Sequence, residues 1–212
     1  MVSDPGTPPT LGAILAGGLA RRLGGGDKPL RMVGGRTVLD RLIDRLAPQV
    51  TRLMLNANDD PHRFEARGLP VVADTLPDHP GPLAGVLAAL EWIALSDPAI
   101  EWVVTVPGDA PFLPRDLVPR LHAERQRDNA TFACAASQGR THPVAALWPV
   151  NVRDALRQAV AVDGIRKVDV FTQRHPCSVV HWPTEPVDPF FNVNTPADLA
   201  EADRLIAIHP AL

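Results

Sequence analysis

Cysteine is scarce in this 212-residue chain: Cys134 and Cys177 are the whole complement, with no CxxC or other metal-ligand spacing. That excludes a disulfide framework and a zinc module. Both cysteines fall in apolar surroundings and read as buried free thiols, which suits a reducing cytosol and a cytoplasmic protein. No stretch approaches the ~20 consecutive apolar residues of a membrane-spanning helix. The first ten residues, MVSDPGTPPT, lack the basic and apolar regions of a secretory signal, and their three prolines read as a disordered leader. Positive charge is not in surplus: a net charge of −3 argues against a nucleic-acid binder, so the basic side chains that matter act locally. Internal repeats are absent, and so is any evident Ser/His/Asp or paired-carboxylate constellation.

What is present is an ordinary globular composition, 45% apolar and 21% charged, long enough for one domain from residue 11 to 212. Apolar runs alternate with helical patterns over at least the first 125 residues. Strands are expected near 11–16, 50–55, 69–73, 102–106, 130–136, 143–148 and 177–182, with a further short one near 29–33. Helices are expected from Thr37, over 83–93, from Pro114 to Arg125, over 150–160 and over 196–208. Such alternation predicts an α/β domain of three layers, a mostly parallel twisted sheet with helices on both faces.

The stretch LAGGLARRLGGGDK, residues 15–28, follows the first strand and organises the functional reading. Glycines let backbone N–H groups approach an anion, and Arg21, Arg22 and Lys28 add positive charge. It is not a P-loop, because Lys28 is followed by Pro29 rather than Ser or Thr. It is not a dinucleotide fingerprint either, because Gly17, Gly18 and Gly24 do not have GxGxxG spacing. Three more polar punctuation marks follow strands: Asn56, Asp74 and Asp109. In open α/β sheets ligands gather at such strand ends. Asp109, in PGDAP, is held on a stiff segment; alone it reads equally as a turn residue, but opposite a basic loop it suits Mg²⁺. Asn192 and Asn194, in FNVNTP, would point the same way if extended, or serve as turn and cap. His142 reads as a surface residue, and the four tryptophans as core or edge packing.

These motifs, LAGG with its basic loop and DK, the asparagine of NAN, the aspartate after the third strand, GPLAG, PxDxP and FxNxNTP, resemble the molybdenum cofactor guanylyltransferases. They appear in that family's order from residue 15 to 196. The resemblance implies a Rossmann-like nucleotidyltransferase domain that joins GMP from GTP to the terminal phosphate of the molybdenum-pterin cofactor, releasing pyrophosphate with Mg²⁺. It implies that Leu15, Ala16, Gly17 and Gly18 contact the guanine nucleotide and that Arg22 and Lys28 bind its phosphates. It also implies that Asn56 and Asp74 lie in the nucleotide pocket, that Gly81 and Pro82 line the base pocket, and that Asp109 holds Mg²⁺. Asn192 and Asn194 would face the pterin or the metal. Gly18 and the PGDAP form of the aspartate motif favour a purine over cytosine, and Gly108 stands where close relatives often have cysteine. Partners implied are GTP, the pterin substrate, and proteins of cofactor synthesis and molybdoenzyme maturation. A sugar-phosphate, cobamide or CTP-using nucleotidyltransferase, and a non-catalytic nucleotide-binding module, remain the alternatives.

Overall fold

The computed structural model describes residues 6–17, 28–58, 60–76 and 81–210. Its framework is a seven-stranded sheet in the order β5-β4-β1-β6-β8-β7-β9. The strands are β1 (Thr10–Leu15), β4 (Arg52–Asn56), β5 (Val71–Val72), β6 (Trp102–Pro107), β7 (Phe132–Ser137), β8 (Arg140–Pro149) and β9 (Cys177–His181). β5, β4, β1 and β6 run parallel; β8 is antiparallel to both β6 and β7, and β9 is parallel to β7. A separate hairpin, β2 (Met32–Val33) with β3 (Arg36–Thr37), turns through Gly34-Gly35. The α/β expectation holds, and the sheet is mixed because the β7–β8 hairpin inserts one strand against the others.

Successive strand residues face opposite sides of a sheet, and two apolar clusters record this. Ile14, Leu55, Val104 and Val106 join one cluster with α1 (Val38–Leu46) and α3 (Leu117–Arg127). Leu11, Ala13, Met54 and Val103 join the other with α2 (Pro82–Ser96) and α4 (Arg153–Ala161). Helix α2 is the deeper element: Leu83 to Leu90 are all buried, so it is apolar all round rather than amphipathic.

Helix boundaries follow local chemistry. Thr37 caps α1 by accepting the Asp40 N–H at 3.0 Å. Helix α6 (Pro196–Ile208) starts with Pro196 behind a reciprocal Thr195–Asp198 capping box. Helix α3 begins three residues after Pro114, not at it, because its first turn is capped from elsewhere. The Gln49 side chain accepts the Val118 N–H at 2.9 Å and donates to the Pro114 carbonyl at 2.9 Å. Other differences are small: 29–33 is a short 3-10 turn, Lys28–Leu30, followed by β2, and α5 (Val168–Thr172) has no counterpart among the expected elements. Cys134 is buried and Cys177 half-buried, and both are free thiols. Strands β7 and β9 bring them together, and a hydrogen bond to Cys177 joins burial in pushing the Cys134 thiol up. Among the described residues, no helix is long and apolar enough to cross a membrane.

Candidate active site

The strand order reverses between β1 and β6, and the crevice beyond their carboxyl ends is where an open α/β sheet places a ligand. The two ends are pinned together: Leu15 pairs with Pro107, and the Gly108 N–H donates to the Leu15 carbonyl at 2.9 Å. A Cβ on Gly108 would lie 2.8 Å from that oxygen and 3.1 Å from Ala16 Cα. Glycine here therefore sets how closely the first loop approaches the aspartate motif. A cysteine would fit only if the two segments moved apart.

Asp109 follows directly. Its Oδ2 lies 3.4 Å from Lys28 Nζ, and the same ammonium donates to Asn194 Oδ1 at 2.5 Å. The Val193 N–H donates to the Asp109 carbonyl at 2.8 Å, so the segment before α6 is fastened to the aspartate from behind. Burial raises the Asp109 pKa above the ordinary carboxylate value, and the attraction and hydrogen bond of Lys28 oppose that rise. The side chains keep 21% and 19% of their surface exposed, so the charges are largely desolvated yet reachable from the cleft. Such a pair can exchange partners when an anion and a cation arrive together.

On the other side of β1, Asn56 and Asn58 hold Asp74. Asn56 Nδ2 donates to Asp74 Oδ1 at 2.9 Å and to the Val72 carbonyl at 3.1 Å. Asn58 Nδ2 donates to Asp74 Oδ2 at 3.0 Å, while its Oδ1 accepts the Asp74 N–H at 2.9 Å. Asn56 is buried against α2 at Gly85, where a Cβ would come within 2.3 Å of Asn56 Oδ1. The glycine in GPLAG is thus the space that Asn56 occupies.

Leu15, Ala16, Gly17, Lys28, Asn56, Asp74, Gly81, Pro82 and Asp109 all line one cleft of about 290 Å³. Gly81 and Pro82 bring the N-terminus of α2 to it. Asn194 joins the cleft through Lys28, whereas Asn192 lines a different cleft, so the asparagine pair does not act on one point. Gly18, Arg21 and Arg22 lie outside the described residues. Asn58, Gly108 and Val144 also line the first cleft. Asn58 was legible as the second amide of NAN, two residues after Asn56; Val144 carries no sequence signal at all.

His142 is half-buried rather than a surface residue. Its ring stacks on Phe190 with centroids 4.6 Å apart. Ser137 Oγ lies 2.7 Å from His142 Nε2 and donates to Asp188 Oδ1 at 2.9 Å, so a Ser/His/Asp chain exists that spacing along the sequence does not disclose.

Among the described residues there is no group of three or more His, Cys, Asp or Glu side chains able to cage a metal. The Asp109 carboxylate is a hard oxygen donor. It fits Mg²⁺ in the usual manner of that ion, which takes one or two carboxylates and completes its shell with substrate phosphates and water.

The family described as the MobA-like NTP transferase domain matches residues 12–177. The molybdenum cofactor guanylyltransferase of Rhodopseudomonas palustris (strain BisB5) is 58% identical, over 97% of this chain and 96% of its own. Among solved structures, molybdopterin-guanine dinucleotide biosynthesis protein A from Archaeoglobus fulgidus is 25% identical over 93% of this chain and 99% of its own, with a TM-score of 0.73. A Mycobacterium tuberculosis protein solved in complex with manganese shares the fold, at 20% identity over 92% of this chain and 98% of its own, TM-score 0.66. With the crevice at the strand reversal and the family match over most of its length, this chain belongs to the MobA-like NTP transferase domain family.

Proposed function

We propose that the chain is a molybdenum cofactor guanylyltransferase, transferring GMP from GTP to the terminal phosphate of the molybdenum-pterin cofactor and releasing pyrophosphate. The observation that carries this reading is the Lys28–Asp109 pair at the β1/β6 reversal, within a chain 58% identical to a relative of that name. In the first cleft the nucleoside lies against Gly81 and Pro82, and Asp74, oriented by Asn56 and Asn58, accepts from its N–H or O–H groups. Leu15, Ala16 and Gly17 flank it. The triphosphate lies over Lys28, and Arg22 and Gly18 are proposed as further contacts of the nucleotide.

Nucleotidyl transfer depends on positioning and charge neutralisation more than on covalent help from the protein. The acceptor is a phosphate monoester whose second ionisation lies near about 6, so it is already a dianionic nucleophile at neutral pH and needs no general base. Lys28 leaves Asp109 to neutralise the charge that accumulates on the α-phosphate and on departing pyrophosphate. Asn194 holds the Lys28 ammonium meanwhile. Asp109 would hold Mg²⁺, which would supply further charge neutralisation at the phosphates. That a structural relative was solved in complex with manganese supports the binding of a divalent cation.

Pyrophosphate release in the presence of molybdopterin tests the reading. GTP is expected to exceed CTP at least tenfold in kcat/KM, and EDTA to abolish turnover. Equal or better use of CTP would contradict it.

A further inference from the structure

Asn56 and Asn58 hold the Asp74 carboxylate from within the first cleft, and the next residue along the chain is held from outside it. The Thr75 hydroxyl donates to Glu91 Oε2, on α2, at 2.8 Å. Arg157, on α4, donates from Nε to Glu91 Oε1 at 2.7 Å. One of its terminal nitrogens lies 2.6 Å from that same oxygen and 3.3 Å from the Thr75 hydroxyl. A hydroxyl has one proton, and here it goes to Glu91, so toward Arg157 the Thr75 oxygen is an acceptor. The three side chains close a ring.

Thr75, Glu91 and Arg157 line neither the first cleft nor the second, where His142, Asp188 and Asn192 stand. Any effect of theirs on a nucleotide must therefore pass through a neighbour, and the neighbour of Thr75 is Asp74. Stability is a poor account of the ring. Thr75 and Arg157 are exposed, and ion pairs in such places add little to folding.

What the ring does is fix the backbone on the far side of Asp74. On the near side the Asp74 N–H donates to Asn58 Oδ1 at 2.9 Å, and the Asn58 carbonyl accepts from Arg63 at 2.5 Å. With Thr75 fastened as well, both flanks of Asp74 are set, and the two asparagine amides settle its side chain. The anchor is also the right one. Helix α2 carries Pro82 at its first position and Glu91 further along, so one rigid element references Asp74 to the Gly81–Pro82 wall of the cleft.

We propose that Thr75, Glu91 and Arg157 are positioning residues for the nucleotide: they tie Asp74 to α2, so that its carboxylate meets the nucleoside's N–H or O–H donors at a spacing fixed by Gly81 and Pro82. The inference rests on the placement of GTP in the first cleft, and it adds what sets the geometry of the nucleoside end.

The experiment uses the full chain and measures the Kd for GTP with magnesium by calorimetry, together with kcat from pyrophosphate release. Thr75→Val, nearly the same shape without the hydroxyl, should raise the Kd about three- to tenfold, the scale of one lost hydrogen bond, and leave kcat at saturating GTP within twofold. Thr75→Ser keeps the hydroxyl and should bind GTP within twofold of wild type. Thr75 is exposed, so neither variant challenges the fold. Glu91→Ala should match Thr75→Val, and combining the two should weaken binding no further. In an Asp74→Ala background Thr75→Val should add nothing, because the ring acts through that carboxylate. A wild-type Kd in Thr75→Val overturns the proposal, as does a serine variant as weak as the valine one or an undiminished penalty when Asp74 is gone. Wild-type protein that binds GTP with this pattern yet releases no pyrophosphate counts against the transfer reading and leaves the positioning role standing.

Discussion

The two clefts are built on opposite principles. The first keeps its charges loosely paired: Lys28 reaches Asp109 only at 3.4 Å, a geometry that gives way readily when phosphate and metal arrive. The second ties neutral and charged groups into a fixed chain, with contacts of 2.7 and 2.9 Å. The first comes from the parallel half of the sheet, at the ends of β1, β4, β5 and β6. The second comes from a hairpin and a segment far away in sequence. Loosely paired charge suits a centre where negative charge develops, whereas the hydrogen-bonded chain holds its side chains in fixed orientations.

The comparison is broken most sharply at Asp109. Asp109→Asn keeps the shape but removes the charge, and kcat should fall by about 10²- to 10³-fold, the usual loss when one electrostatic stabiliser is removed. Molybdopterin affinity should stay as it was; a kcat near wild type in steady-state assays would remove Asp109 from the centre. Gly85→Ala comes next. Its Cβ would meet Asn56 Oδ1 at 2.3 Å, and overpacking of this kind costs about 1–3 kcal/mol. A lower Tm and a raised KM for GTP should appear together, again with molybdopterin binding intact. The smallest effect is expected from Asn58→Ala, which removes two hydrogen bonds to Asp74. It should raise the KM for GTP up to roughly tenfold, on the order of 1 kcal/mol, with little change in kcat. Should Asn58→Ala instead weaken molybdopterin and spare the KM for GTP, the placement of the nucleotide in the first cleft is wrong.

The same contrast explains what sequence alone discloses. Asn56, Asp74 and Asp109 were legible because each follows an apolar run, and topology alone carries such positions to one rim. Thr37 was legible as the start of α1 because capping is local. The start of α3 was not, since Gln49 caps it from 69 residues away along the chain. His142 was not legible for the same reason: its meaning depends on Ser137 and Asp188, which meet it only after β7 and β8 pair and the chain returns. Asn192 and Asn194 share a motif but part company, because the intervening Val193 is fastened to Asp109.

The central claim is that the donor nucleotide occupies the first cleft with its phosphates at Lys28 and Asp109. A crystal structure with a non-hydrolysable GTP analogue and Mg²⁺ tests it most directly. The account predicts the nucleoside against Gly81 and Pro82, the phosphates between Lys28 and Asp109, and the His142 cleft left open. A nucleotide seated at His142 and Phe190, or phosphates that avoid Asp109, would contradict it.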